Sequence, residues 1–205
     1  MSIAAPPEGL AFDRIPTPAG EALVMWDGDL LLRVFDWAGY EARMRRLLDR
    51  HYGPVEPKSR PAPKRLQDVL RAYFGGDLES LDLIRCATGG TPFQRAVWGA
   101  LRDIPVGTTI TYGALAQRIG RPAAVRAVGL ANGANPIGLV VPCHRVIGAD
   151  GSLTGYAGGI ERKRWLLRHE GVTCRNAVGH SLPATVGHRP RRSRPGDRRS
   201  LPPSD

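Results

Sequence analysis

The sequence predicts an α+β protein, with an N-terminal α/β unit on a small antiparallel sheet and a mainly helical C-terminal unit. Three observations predict it. Residues 21–26 and 30–35 are apolar, strand-like runs on either side of Asp27-Gly28-Asp29, a hairpin signal. Residues 40–52 and 63–74 then carry apolar side chains at helical spacing. From residue 91 onward, short helical segments alternate with Pro and Gly, and two of them are joined by a tight turn at Gly120, a helix-turn-helix pattern.

Taken in order, the chain starts irregularly before the hairpin. In 40–52, Met44, Leu47, Leu48 and His51 share one helix face, and Gly53-Pro54 ends it. Residues 54–63 form a proline-rich connection. The next helix presents Leu66, Val69, Leu70, Tyr73 and Phe74 before Gly75-Gly76, and residues 81–84 read as a short strand. Nothing up to this point has a catalytic arrangement; His51 reads as a helix-face residue and Cys86 as a filler.

Thr91-Pro92-Phe93-Gln94 opens the second unit as a helix start, with Thr as N-cap, Pro at the first position and Gln completing a capping box. Phe93, Val97, Leu101 and Ile104 face one way, and Pro105 stops that helix. Thr111 caps a helix over 112–119, with Gly120 just past its end. A third helix begins at Pro122. Ala123, Ala124, Ala127, Gly129 and Ala131 leave it nearly smooth, with Arg126 its one long polar side chain. Major-groove readers carry several Arg, Asn or Gln side chains, so this helix is poorly equipped to read base edges. Close helix packing and close approach to a narrow groove account equally well for the small residues.

Asn135-Pro136 turns the chain into residues 137–147, an apolar run that reads as a buried strand ending in Pro142-Cys143-His144. A free cysteine in such a place is more often a small buried hydrophobe than a nucleophile. A neighbouring base changes that, because only the thiolate is strongly nucleophilic. Residues 155–159 form a Gly-rich loop exposing backbone amides, and 161–169 a basic helix. Glu170 lies in its last turn, where the helix dipole disfavours a carboxylate, and pairing with His144 would explain the placement.

At 205 residues, 42% hydrophobic and 23% charged, the composition is globular. No apolar run is long enough for a membrane span, and the prolines and acids near Met1 do not suit a signal peptide, so a cytoplasmic location is expected. Cys86, Cys143 and Cys174 are odd in number and far apart, which suits a reducing compartment and gives no metal-ligand spacing. No metal and no cofactor are expected. The net charge of +10 favours an anionic partner such as nucleic acid. Residues 176–205 hold six Arg and two Asp, so +4 of that charge lies in a Pro- and Ser-rich stretch that reads as a disordered basic tail. The expected organisation is an N-terminal domain over 1–87, a second domain over 88–175 and the tail over 176–205.

Five motifs now stand in order: Thr111-Tyr112-Gly113-Ala114-Leu115-Ala116, Asn135-Pro136, Pro142-Cys143-His144-Arg145-Val146, Gly155-Tyr156-Ala157-Gly158-Gly159 and His169-Glu170-Gly171. Across roughly residues 88–172 the chain thereby resembles the O6-alkylguanine-DNA alkyltransferases. The resemblance implies a ribonuclease H-like N-terminal fold and a winged helix-turn-helix. It implies a monomer that binds duplex DNA in the minor groove and flips the damaged guanine out, with O4-alkylthymine as a second candidate substrate. The alkyl group would pass irreversibly to Cys143. His144 would act as base through a water, held by Glu170, and Asn135 would brace the turn beside them. Tyr112 would meet the flipped base and the phosphate, and the carbonyls of Cys143 and Val146 would read the guanine edge. The Ala157 amide would reach O6, Tyr156 would shape the pocket, and Arg126 would fill the vacated stack, with Ala124 and Ala127 against the groove.

Three rival classes fit less well. A non-catalytic binder of alkylated DNA would lack the cysteine. A cysteine hydrolase usually places nucleophile and base far apart in sequence. A transcription regulator would need more reading side chains than Arg126.

Overall fold

A computed structural model of the chain describes residues 6–173. The stretch read as irregular before the hairpin is a strand, β1 (Ala11–Thr17), which turns tightly at Thr17 and Gly20 into β2 (Gly20–Trp26). β2 pairs antiparallel with β3 (Leu32–Trp37), so the predicted hairpin is present. Its turn is held by Asp27, whose Oδ1 accepts from the amides of Asp29 and Leu31 at 3.0 and 2.9 Å. The left-handed position is taken by Leu30, at φ 57°, and not by a glycine, so the third strand starts two residues later than its apolar run. β4 (Lys58–Ser59) lies inside the proline-rich connection and pairs parallel with β1. The four-stranded sheet, ordered β3-β2-β1-β4, is therefore antiparallel over three strands with one short parallel edge, and not wholly antiparallel as expected.

Both faces of this sheet are covered, which explains why β2 is apolar almost throughout. Leu23 and Met25 pack on α1 (Glu41–Tyr52) through Met44, Leu48 and Tyr52. Ala22, Val24 and Trp26 face the other way, into a continuous core that also takes in α2 (Lys64–Phe74), α3 (Pro92–Arg102) and the buried residues 137–146. The short strand expected at 81–84 is a 3-10 turn, Ser80–Leu83, with Ser80 Oγ donating to the carbonyl of Val69 at 3.2 Å.

Two of the helix starts read from the sequence are correct. Thr91 and Gln94 form the reciprocal capping box of α3, at 3.2 and 2.9 Å. Thr111 Oγ1 accepts from the Ala114 amide at 3.1 Å and opens α4 (Tyr112–Arg118). Gly120, at φ 68°, ends it in a Schellman motif, in which the Arg121 and Gly120 amides donate to Ala116 and Gln117. The third helix begins with a 3-10 turn, Pro122–Ala124, before α5 (Val125–Gly133), so it starts three residues later than expected. α6 (Ile160–His169) closes the described chain.

The clearest correction concerns residues 137–147. All of Ile137, Leu139, Val140 and Val141 are buried, yet the run is a coiled turn and not a strand. A single bridge to Phe35 docks it on the edge of β3, with Phe35 N to Pro136 O at 3.0 Å and Gly138 N to Phe35 O at 2.7 Å. The Val141 amide then bonds back to Ile137, and Pro142, at φ −79° and ψ 64°, makes an inverse γ-turn closed by Cys143 N to Val141 O at 2.7 Å. Pro142 inside the run, and Pro136 just before it, lack the donors a strand ladder needs. Only β6 (Val146–Ile147) is extended, and it pairs parallel with β5 (Ile110–Thr111).

Leu101→Ala, in the fully buried face of α3, is expected to cost about 2–5 kcal/mol. Thr91→Ala should cost only about 1 kcal/mol. Urea unfolding midpoints should rank the two in that order, with unchanged slopes.

Candidate active site

Cys143 and His144 stand on a 3-10 turn, Cys143–Arg145, at the inner end of the coiled segment. The turn is braced from behind by Asn135, whose buried side chain donates to the Val141 carbonyl at 2.8 Å and accepts from the Ile137 amide at 3.0 Å. The thiol of Cys143 is buried and donates to the Gly138 carbonyl at 3.6 Å. Burial pushes its pKa up, against the smaller opposing effects of Asn135, Arg43 and Lys163. That direction favours the protonated thiol.

His144 is completely buried, and its Nε2 lies 3.0 Å from Glu170 Oε1. Glu170 reaches it because α6 ends in a second Schellman motif, with the Val172 and Gly171 amides donating to Leu167 and Arg168. The carboxylate thus sits at the helix C-cap, turned inward. Its unfavourable position against the dipole is offset by direct partners: Arg145 Nε on Oε2 at 2.8 Å, with Arg145 Nη2 and the Tyr73 hydroxyl on Oε1, each at 2.9 Å. Desolvation alone would raise the pKa of Glu170. His144 and Arg145 outweigh it and hold the carboxyl well below the usual range.

For His144, burial is the largest effect and lowers its pKa; Glu170 pushes it up, while Arg145 and Lys163 push it down. That direction favours the neutral imidazole, which then donates from Nε2 to the carboxylate and keeps Nδ1 as its acceptor. That Nδ1 is buried and has no hydrogen-bond partner among the described residues.

The parallel pairing of β5 with β6 sets Thr111 beside Ile147 and brings Tyr112 to this turn. The Tyr112 hydroxyl makes a long 3.5 Å contact to the Thr154 carbonyl; burial is the main influence raising its pKa, and Cys143 adds to it. Tyr156 stands edge-on to His144 with ring centroids 6.4 Å apart, and its oxygen accepts from Trp37 Nε1 at 3.1 Å. Ala157 follows on the loop, half-buried. The Val146 carbonyl accepts from Lys163 Nζ at 2.5 Å. Arg126 and Ala127 stand apart from this cluster, exposed on α5, and Ala124 is half-exposed just before it. Ala123, Arg126, Ala127 and Leu130 share one face at helical spacing, which is smooth apart from Arg126 and Leu130. Among the described residues, no three His, Cys, Asp or Glu side chains gather as a metal site would require, and no helix is long and apolar enough to cross a membrane.

Sequence reasoning missed Arg145, Lys163 and Tyr73. Lys163 was detectable, since 163, 166, 167 and 170 fall on one helix face and a lysine in an apolar stripe needs partners. Tyr73 lies on the apolar stripe of α2, and a buried tyrosine hydroxyl usually finds a partner. Cys174 and the stretch 176–205 lie outside the described residues.

A family model described as the DNA binding domain of 6-O-methylguanine DNA methyltransferase matches residues 92–172. The methylated-DNA–protein-cysteine methyltransferase of Shigella flexneri is 55% identical over 161 residues, 78% of this chain and 94% of that protein. The crystal structure of Mycobacterium tuberculosis O6-methylguanine methyltransferase aligns with a TM-score of 0.64 at 42% identity, covering 78% of this chain and 92% of that one. The same organism's OGT in complex with DNA aligns with a TM-score of 0.67 at 40% identity over the same shares. The chain is thus a DNA repair methyltransferase that carries a DNA-binding domain. Within that class, the chain belongs to the methylated-DNA–protein-cysteine methyltransferase family.

Arg145→Ala leaves the Glu170 charge buried without its cationic partner and should cost about 3–5 kcal/mol at neutral pH. Because the folded-state pKa of Glu170 is depressed, its charge favours the folded protein fully only above the unfolded carboxylate value of about 4.3. The deficit of the variant should therefore shrink as pH falls below that value. A deficit equally large in acid, by chemical denaturation, would contradict an ionised Glu170.

Proposed function

We propose that the chain repairs O6-alkylguanine in duplex DNA by moving the alkyl group irreversibly onto Cys143. The observation that carries this reading is the buried Nδ1 of His144, without a partner among the described residues and one residue from Cys143, on a ring whose other nitrogen is committed to Glu170. A water between Nδ1 and the thiol would take the Cys143 proton and pass it to His144, and Glu170 stabilises the imidazolium that results. The sulfur then bonds the alkyl carbon as the carbon–O6 bond breaks. The Ala157 amide stabilises the charge left on O6, and the Tyr112 hydroxyl donates toward N3 of the leaving guanine. The carbonyls of Cys143 and Val146 read the guanine edge, and Tyr156 forms the pocket wall. The product is an S-alkylcysteine with no route back to the thiol. O4-alkylthymine is the secondary substrate of this reading.

The outer face of α5 enters the minor groove, where Ala124 and Ala127 allow close approach without base readout. Arg126 occupies the stack left by the flipped base, offsetting part of the few kcal/mol that flipping costs. In this reading residues 88–175 are the DNA-binding and catalytic unit, of winged helix-turn-helix type. Residues 1–87 are a supporting unit of ribonuclease H-like plan, and the protein acts as a monomer.

Incubation with duplex DNA containing O6-methylguanine should add the mass of one methyl group per chain, located on Cys143, with no further turnover. Cys143→Ala should abolish the transfer; repair that survived this change would sink the mechanism. Arg126→Ala should slow repair of duplex far more than reaction with free benzylguanine, and equal losses would remove the plug role. Single-turnover rates should fall on the acid side as His144 is protonated. Since burial lowers the His144 pKa, the midpoint of that fall should lie below the ordinary imidazole value of about 6.5.

A further inference from the structure

Tyr73 belongs to α2, in the half of the chain where the sequence offers no chemistry. Its ring is fully buried, and its hydroxyl donates to Glu170 Oε1 at 2.9 Å across 97 positions of sequence. The same oxygen accepts from His144 Nε2 at 3.0 Å and from Arg145 Nη2 at 2.9 Å. A carboxylate oxygen offers about two lone-pair sites, so three donors compete for it. The tyrosine is thus set on the oxygen that holds the histidine.

The other end of Tyr73 is gripped as well. His169 Nε2 donates to its carbonyl at 2.8 Å, and the His169 ring stands edge-on at 5.0 Å, so α6 orients the residue that reaches its own Glu170. Burial and then the Glu170 charge push the Tyr73 pKa up, which keeps it a donor at any working pH.

We infer that Tyr73 is a positioning residue for alkyl transfer, acting through Glu170 to set how strongly His144 attracts a proton. The inference rests on the reading of His144 as the group that takes the Cys143 proton. A donor on Oε1 draws carboxylate charge away from the imidazole and lowers its basicity, so His144 stays neutral, and able to accept, to lower pH. The groups facing His144 are Glu170, which raises its affinity for a proton, and Arg145 and Lys163, which lower it. Tyr156 stands edge-on, and Cys143 precedes it on the turn. Tyr73 adds to the lowering side from the N-terminal half.

Tyr73→Phe keeps the ring and removes the donor. Single-turnover transfer from O6-methylguanine duplex, measured against pH, should show its acid limb displaced upward by roughly half to one pH unit, about a 3–10-fold loss of rate on that limb. The rate on the alkaline plateau should change less. Placing 3-fluorotyrosine at position 73, a stronger donor of the same shape, should move the limb downward. In a Glu170→Gln background, Tyr73→Phe should leave the limb where it is. NMR titration of the His144 ring gives the same shifts without relying on transfer. A rate loss equal at every pH, with an unmoved His144 titration, would reduce Tyr73 to a packing residue. A shift that persists without Glu170 would overturn the route. If the wild-type protein gained no methyl group on Cys143, the reading of the reaction would fall and the inference with it; normal transfer with an unmoved titration would overturn the inference alone.

Discussion

A carboxylate buried at the end of α6 is the constraint around which the site is assembled. Taking the Glu170 charge out of water costs several kcal/mol unless donors replace the water. Tyr73 from α2, His144 and two nitrogens of Arg145 replace it. The third Arg145 nitrogen, Nη1, donates to the Ile104 carbonyl at 2.6 Å, just past the end of α3. Three helices and the cysteine turn therefore have to meet at one point. A well-packed apolar cluster could supply comparable stability. What the ionic cluster adds is position, since each hydrogen bond has a direction and the imidazole can lie in only one orientation.

The same burial governs reactivity. A thiolate ready at rest would react with oxidants before it met its substrate, and a single-use acceptor has no means of recovery. Burial pushes the Cys143 thiol up and the neighbouring imidazole down, which favours the uncharged form of each. In the proposed reaction, nucleophile and base would thus both start uncharged, and the charges would appear only when the proton moves. In that reaction Glu170 would be the fixed negative charge that makes the movement favourable.

The N-terminal half takes part in this arrangement. Arg43 of α1, paired with Asp36 at 2.6 Å, donates to the carbonyls of Gly133 and Asn135 at 2.7 and 2.9 Å, at the exit from α5. Trp37 of β3 donates to the Tyr156 oxygen, and the Arg162 guanidinium lies 4.5 Å over its ring. A Cβ on Gly158 would come within 2.5 Å of Trp37, so the loop carrying Ala157 can close on the sheet only with glycine there. The core is correspondingly continuous from β2 through residues 137–146.

The sequence by itself determined most of the helices, the caps of α3 and α4 and the adjacency of Cys143 and His144, because capping residues, Gly stops and neighbouring residues are local signals. It also pointed to Glu170, through a carboxylate in a poor dipole position. It could not determine the backbone of residues 137–147, since a continuous apolar run reports burial and not the path the chain takes while buried. Nor could it supply Tyr73, Arg43 or Trp37, whose partners lie 90 or more positions away. Those contacts were decided only by the tertiary structure, because hydrogen bonds across such separations exist only after the core has brought the two halves together.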